Sequence, residues 1–385
     1  MVKILHHSSY IGYAGTERTA QLMCKYLSVD ANCEVYLVYN ELGYNPRLEH
    51  IARIAPNVKL VPFIEIAQKN AQPPYYPEDS NYADILAEIE PDVAHYHRSG
   101  YPSWPCHRTI HPAHTKIFET NIFGYADTQG HIDEHIYISH FIRNTAIRAG
   151  NSWGPVLYNP IEVPYIDIDY KDPWITGCFG DPDGPIDIVR RDDYKEHCKK
   201  KLGIDPNKIV LGRIGRPDNF SSISLDAFKV IQKQFGDSVV YYVVNPCDSW
   251  KKHAKKLRLK NVIWANPIYD DVTLSMTYAA FDIYAHARSD GECDPCNIGE
   301  AMMHCLPVVS HEGHTYQGQV EKLKDVGFVV PAKDNIAYAE CLKELILNQT
   351  LRKEMGGVSQ QKAFSTFEAS LVIEILKEIY TNVLQ

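Results

Sequence analysis

The chain of 385 residues alternates short apolar runs with helical periods almost from end to end. The runs VKIL (2–5), EVYLVY (34–39), VKLVP (58–62), DVAHYH (92–97), TKIFE (115–119) and HIYIS (135–139) predict strands, and VLYNP (156–160) predicts a last strand of this set. GTERTAQLMCKYL predicts a helix over 15–27, with Ala20, Met23 and Leu27 recurring at helical spacing. A second set follows: IVLGRIG (209–215), VVYYVV (239–244), NVIWA (261–265), FDIYAHA (281–287), LPVVS (306–310) and VGFVV (326–330), with helical stretches between. FEASLVIEILKEIYTNVLQ, 367–385, predicts an amphipathic closing helix. The stretch 161–185 is rich in Pro, Gly and Asp, lacks a helical period and predicts a linker.

Strands alternating with helices predict parallel sheets built from βαβ units. The expected class is α/β, with two doubly wound Rossmann-like domains in tandem, 1–165 and 166–366. In such sheets ligands sit at the carboxyl ends of the strands. No internal repeat and no low-complexity segment is visible.

Composition narrows the function classes. Apolar residues make up 45% and charged residues 23%, ordinary for a globular protein. The net charge of −9 argues against a nucleic-acid partner. Ten scattered cysteines fit a reducing compartment better than a disulfide framework. The N-terminal apolar run is too short for a signal peptide, and no stretch reaches the length of a membrane span. A cytoplasmic location is the expectation.

The segment SDGECDPCNIGEAMMHCLPVVS, 289–310, carries two overlapping patterns. Cys293 and Cys296 have the spacing of half a zinc site, but His304, Cys305, His311 and His314 do not supply a second unit in register. Buried thiols are the simpler reading, and no metal is expected. Glu292 and Glu300 have seven residues between them. Pro295 keeps them off one continuous helix, so Glu292 belongs to a loop and Glu300 to a helix expected to begin near Asn297. Free amides at such a helix start favour phosphate oxygens, and a neighbouring carboxylate can accept from sugar hydroxyls. A pair of surface glutamates would look the same in sequence. Arg216 follows the strand 209–215, where Gly215 permits close backbone approach and a guanidinium suits bidentate phosphate contact. Pairing with Asp218 is its plain structural alternative. Gly12 and Gly15, between the first strand and helix, are a poor match to a dinucleotide fingerprint. His95 and His97 share one strand face and read as core histidines. SWKKHAKKLRLKN, 249–261, is a strongly basic helix, ordinarily a solvated face and otherwise a contact for an anionic surface.

Taken in order, these segments resemble the retaining glycosyltransferases of family 4. GECDPCNIGEAMMHCLPVV is similar to the family's E-x7-E segment, with Glu300-Ala301-Met302 and Leu306-Pro307-Val308-Val309 matching closely. GYAGTERTAQLM resembles its glycine loop and first helix; PDVAHYH (91–97), YISHFIRN (137–144), LYNPIEV (157–163) and 262–289 fall in family order. The resemblance implies a GT-B fold and transfer of a hexose, with mannose from GDP-mannose favoured, to a glycan, glycoprotein or other acceptor. It implies retention at the anomeric carbon, no metal and no cofactor beyond the donor substrate. It also implies that the last helix packs back on the N-terminal domain. Donor-binding positions carried over are Gly15, Thr16, Gly215, Arg216, Glu292, Cys293, Asp294, Cys296, Asn297, Ile298 and Glu300. Arg216, Glu292 and Asn121 are carried over as catalytic. A homodimer and peripheral membrane contact are further expectations.

Three departures from the family pattern stand out. Ser221 and Ser222 replace a lysine that usually follows the arginine, leaving Lys251, Lys252 and Arg213 as substitutes. Asp294-Pro295 replaces Phe-Gly, and Asn121 replaces a histidine. An epimerase of the same fold and a non-catalytic nucleotide-sugar binder are the alternative readings.

Overall fold

The structure is a computed structural model that describes residues 1–8, 11–12, 15–40, 46–63, 81–162, 188–219 and 221–385. Most of the predicted linker (163–185) and four residues of the glycine loop (9, 10, 13 and 14) lie outside the described residues. The chain forms two compact units, Met1–Ile161 with Thr366–Gln385, and Glu162–Ser365.

The first unit runs β1 (Val2–Ser8), α1 (Gly15–Leu27), β2 (Cys33–Asn40), α2 (Pro46–Ile54), β3 (Lys59–Phe63), α3 (Tyr82–Ile89), β4 (Val93–Arg98), β5 (Lys116–Asn121), β6 (Glu134–Tyr137) and α4 (His140–Arg148). Its strands pair in parallel in the order β3-β2-β1-β4-β5-β6. The second unit runs α5 (Ile188–Lys201), β7 (Ile209–Ile214), α6 (Ile223–Phe235), β8 (Val239–Val244), α7 (Asp248–Leu257), β9 (Val262–Ala265), α8 (Asp271–Ala279), β10 (Ile283–Ala285), α9 (Cys296–Met303), β11 (Val308–His311), α10 (Gly318–Leu323), β12 (Phe328–Val330), α11 (Asn335–Leu347) and α12 (Gln349–Thr366). Its parallel order is β12-β11-β10-β7-β8-β9. Both sheets therefore reverse direction beside their first strand, at β1/β4 and at β7/β10, where a doubly wound fold opens a crevice.

The strand interiors explain why the sheets are parallel. All six residues of β8, VVYYVV, are buried, the mark of a sheet covered on both faces. Leu211, Tyr241, Ile283 and Val309 join Phe228, Ile231 and Leu342 from the covering helices in one core. VLYNP differs from its prediction. Among those residues Val156 makes an isolated parallel bridge to Tyr137, with Leu157 N–H donating to Tyr137 O at 2.8 Å. Pro155 and Pro160 lack the N–H groups a longer ladder needs.

The last helix, α13 (Ala369–Leu384), belongs to the first unit. Val372, Ile373, Leu376 and Tyr380 pack with Met23, Cys24 and Leu27 of α1 and with Val35 and Leu37 of β2. Tyr380 also enters a polar chain in the core. Its hydroxyl lies 2.6 Å from His95 Nδ1 and 3.3 Å from His6 Nε2. His6 Nδ1 meets His97 Nε2 at 3.0 Å, and His95 Nε2 meets Thr120 Oγ1 at 2.7 Å. All three rings are buried.

Burial, reinforced by the neighbouring His97, holds His6 and His7 well below the usual imidazole range, His7 at about 3; burial alone takes His97 to about 3. His95 is lowered by burial and by His97 and His6. The unfolded chain therefore binds protons that the folded chain refuses. This stability is fully present above about pH 6.5 and is lost as pH falls through the window between that value and about 3. Urea unfolding at pH 7, 6 and 5 should show stability falling below about pH 6.5, by about 1.4 kcal/mol per pH unit for each such histidine. A profile flat from pH 7 to 5 would mean that these rings are already charged or hydrated in the fold.

Candidate functional site

The second unit gathers most of the singled-out residues at the carboxyl ends of β7 and β10. The Ile214 carbonyl, last in β7, accepts from the Tyr284 hydroxyl at 2.9 Å and from Asn297 Nδ2 at 3.1 Å. Arg213 Nη1 donates to the same carbonyl. Tyr284 lies on β10 and Asn297 on the first turn of α9, so one oxygen joins three elements. Gly215 follows directly. A Cβ there would stand 2.6 Å from Arg213 Nη1, so the backbone must pass bare over that guanidinium. Arg213 is fully buried, with Nη1 also 3.2 Å from the Tyr284 hydroxyl. Arg216 by contrast is exposed, its Nε 3.7 Å from Asp218 Oδ1.

Helix α9 begins at Cys296 with Pro295 as N-cap, one residue earlier than the expected start near Asn297. Asn297 is not the cap; its amide reaches back to β7, and its Oδ1 is buried with no hydrogen-bond partner among the described residues. Ile298 is buried in the unit. Glu300 Oε2 accepts from the Tyr278 hydroxyl at 2.7 Å. His304 stacks on Tyr278 with ring centroids 5.2 Å apart, and its Nε2 contacts Ser275 Oγ at 2.7 Å. Glu300 thus has one oxygen oriented from behind by α8.

Glu292 lies in the loop after β10. Its Oε2 receives Arg288 Nη1 at 3.0 Å, and its Oε1 lies 3.5 Å from His286 Nε2. Arg288 also grips Asp290 with two bonds, Nε to Oδ1 at 2.7 Å and Nη2 to Oδ2 at 2.8 Å. Burial raises the Glu292 pKa; the His286 hydrogen bond and the neighbouring Arg288 and Arg213 guanidinium groups outweigh it, and the carboxyl is held below its usual range. His286 is lowered to about 4, chiefly by burial, so at neutral pH a neutral imidazole faces an ionised carboxylate. Ser310 Oγ at 2.8 Å occupies the other ring nitrogen.

The loop from Glu292 to Pro295 is held by α10. Gly318 N–H donates to Glu292 O at 2.7 Å, and Glu292 N–H to Gln319 Oε1 at 2.9 Å. Gly291 turns with φ of 79° against the Tyr316 carbonyl, where a side chain would collide. Asp294 does not face a ligand. Its carboxylate forms an ion pair of 2.5 Å with Lys322, both side chains shielded from solvent. Lys322 Nζ also lies 3.4 Å from Pro295 O. The unusual Asp294-Pro295 pair therefore anchors the loop to α10 and starts α9.

Cys293 and Cys296 are thiols outside any disulfide, and burial pushes Cys293 far above the ordinary thiol range, a poor ligand or nucleophile. Among the described residues, the side chains whose ligand atoms lie close enough for a metal are His6, His95 and His97 of the first unit, within 4.8 Å of one another. His95 and His97 stack at 4.7 Å and 18°, and both His95 nitrogens contact hydroxyls, so the rings are arranged as a hydrogen-bonded chain.

Gly15, Thr16 and Asn121 lie in the first unit. Gly15 is the exposed first residue of α1, and Thr16 is half-buried. Asn121 ends β5 with its side chain fully buried: Nδ2 donates to Tyr125 O and Oδ1 accepts from Gly124 N–H, both at 2.8 Å. Its amide supports the 121–125 turn, which corrects the expectation of an available sugar contact. Of the proposed substitute cations, Lys251 and Lys252 are exposed on α7 and Arg213 is sealed beneath Gly215. Sequence reasoning missed Arg288, His286, Tyr278 and Lys322 as members of this site. Lys322 carries no local signal for Asp294, 28 positions earlier.

Residues 195–362 match the model of the family described as glycosyl transferases group 1. The matched stretch lies entirely within the second unit. A stretch of 175 residues is 26% identical to phosphatidyl-myo-inositol mannosyltransferase of Mycobacterium leprae (strain TN), covering 46% of this chain and 46% of that protein. The match thus spans about half of that relative's length. Among solved structures, a glycosyltransferase from Rickettsia africae ESF-5 superposes with a TM-score of 0.75 at 16% identity, covering 100% of this chain and 99% of that one. HepE of Anabaena, in complex with UDP and glucose, superposes at 0.71 and 15% identity over 99% and 100%. At such identities the likeness is one of fold, and the fold is GT-B. Family model, relative and fold all lie on the side of glycosyltransferases as what this chain is similar to. The stretch matched by the family model contains the whole of this site, from Ile214 to Lys322.

Lys322→Met should destabilise the protein by about 3–5 kcal/mol, because it leaves a buried carboxylate uncompensated. Removing both charges with Asp294→Leu should recover much of the loss. Thermal and urea unfolding of the three variants measure it.

Proposed function

We propose that the protein transfers a hexose from a nucleotide-diphosphate sugar to a glycan, glycoprotein or other acceptor, with retention at the anomeric carbon. The observation that carries this reading is the pairing of two differently held carboxylates at one sheet edge. Glu300 is oriented by the Tyr278 hydroxyl at 2.7 Å beside the first turn of α9. Glu292 is kept ionised in the loop before that helix. Glu300 would accept from the ribose hydroxyls, and Glu292 from hydroxyls of the sugar. The free amides of the α9 start and Arg216 would meet the diphosphate, whose growing charge is where such a transfer gains most of its rate. In this reading the charge is met by protein groups and no metal is required. Arg213 lies close enough to that edge for its charge to act on Glu292 and His286. That suits it as a second, fixed cation in place of the lysine that Ser221 and Ser222 do not supply.

Mannose and GDP-mannose are the favoured sugar and donor. The mannosyltransferase name of the Mycobacterium leprae relative supports mannose, and the HepE complex with UDP and glucose keeps uridine donors in the comparison.

Calorimetric titration with GDP-mannose, UDP-glucose and UDP-N-acetylglucosamine tests the reading. One donor should bind clearly more tightly than the others. Glu300→Ala should weaken it at least tenfold, the loss of a hydrogen bond to a charged group. Tyr278→Phe should weaken it by a smaller factor and leave a 2′,3′-dideoxy nucleotide unaffected, because the hydroxyl acts only through Glu300. No binding by any donor, or an unchanged Glu300→Ala, would remove the proposal. Binding followed by conversion of the free donor, without an acceptor, would instead indicate an epimerase.

A further inference from the structure

Residues 251–260 read KKHAKKLRLK. Lys251, Lys252, Lys255, Lys256, Arg258 and Lys260 fill six of these ten positions, with no acidic residue among them, in a chain of net charge −9. All six are exposed. The helix α7 explains how they come to share a surface. Trp250 and Ala254 bury its inner face. At about 100° per residue, Lys251, Lys252, Lys255 and Lys256 spread over an arc of about 140° on the opposite side. Arg258 ends the helix in the left-handed conformation, with φ of 59°, and the chain leaves through Lys260. There Gln232 Oε1 of α6 accepts from Lys260 N–H at 2.6 Å. The exposed Lys229 and Lys233 flank Gln232 in sequence and extend the basic surface onto α6.

Few carboxylates offset this charge. Lys251 lies 4.0 Å from Asp248, itself 88% exposed, and Asp226 is taken up by His253 at 2.9 Å. Lys252, Lys255, Lys256, Arg258 and Lys260 have no carboxylate within ion-pair distance among the described residues. Like charges gathered this way repel one another, and an anionic surface relieves that repulsion.

We propose that the outer face of α7 docks the protein on an anionic lipid bilayer. Three features favour this occupant. Five of the six cations are lysines, flexible point charges suited to a diffuse anionic plane rather than to bidentate readout. The helix presents no aromatic platform for bases, since Trp250 is turned inward and 4% exposed. Among the described residues the helix also presents no large exposed apolar side chain of the kind protein interfaces centre on. A cluster of four to eight Lys and Arg on an amphipathic helix is the pattern that anionic headgroups attract. The proposal concerns only the second unit and does not depend on which donor binds there.

Co-sedimentation of the full chain with vesicles tests it. The protein should bind vesicles of phosphatidylcholine with about 30% phosphatidylglycerol, ignore pure phosphatidylcholine, and release as added salt shortens the Debye length below about 8 Å. Each lysine near the surface contributes about fivefold to partitioning, so Lys252→Glu, Lys255→Glu and Lys256→Glu together should weaken binding by at least about a hundredfold. If that variant melts early, Lys→Gln at the same three positions provides the folded comparison, with a smaller but clear loss. The proposal is overturned if the wild-type chain ignores the anionic vesicles or binds both compositions alike. It is also overturned if folded variants bind as well as wild type, or if single-stranded RNA or duplex DNA binds more tightly than the vesicles.

Discussion

The Ile214 carbonyl is the point on which the second unit's working edge depends. A parallel sheet ends in carbonyls that no further strand satisfies. At β7 that carbonyl collects Tyr284, Asn297 and Arg213. These three donors join the first strand, the strand beyond the topological reversal, and the helix that follows it. Arg216 leaves the strand two residues later, and Glu300 stands one turn along the helix. The relative positions of the two groups therefore follow from one shared acceptor.

The loop carrying Glu292 is held in a different way. Its rigidity comes from below, through α10, and not from the sheet. Gly318 and Gln319 hold the backbone of Glu292, and the shielded Lys322–Asp294 pair holds the turn after it. Pro295 then starts α9 without an amide of its own to satisfy. With Asp-Pro in this loop, its stabilisation rests on an ion pair. That pair is intolerant of losing either partner.

In the first unit the strands at the equivalent reversal, β1 beside β4, carry histidines that meet one another. His6, His95, His97, Tyr380 and Thr120 satisfy one another in a buried chain, and α13 supplies the tyrosine. The closing helix is thereby bound by both apolar packing and a polar contact in the core.

The sequence by itself determined the two parallel α/β units, because apolar runs and helical periods are local properties that burial on both faces enforces; it overcounted the first sheet by the VLYNP run. It also singled out Glu292, Glu300, Gly215 and Arg216, because a loop, a helix start and a strand end are each legible within a few residues. Only the tertiary structure decided which neighbours hold them. Tyr278 behind Glu300, Arg288 and His286 on Glu292, and Lys322 on Asp294 are contacts set by how helices and strands pack. The same packing turned Asp294 and Asn121 inward, away from the roles their positions in the chain suggested. Pattern fixes the element a side chain belongs to; its partner depends on which other element lies against it, and no local period encodes that.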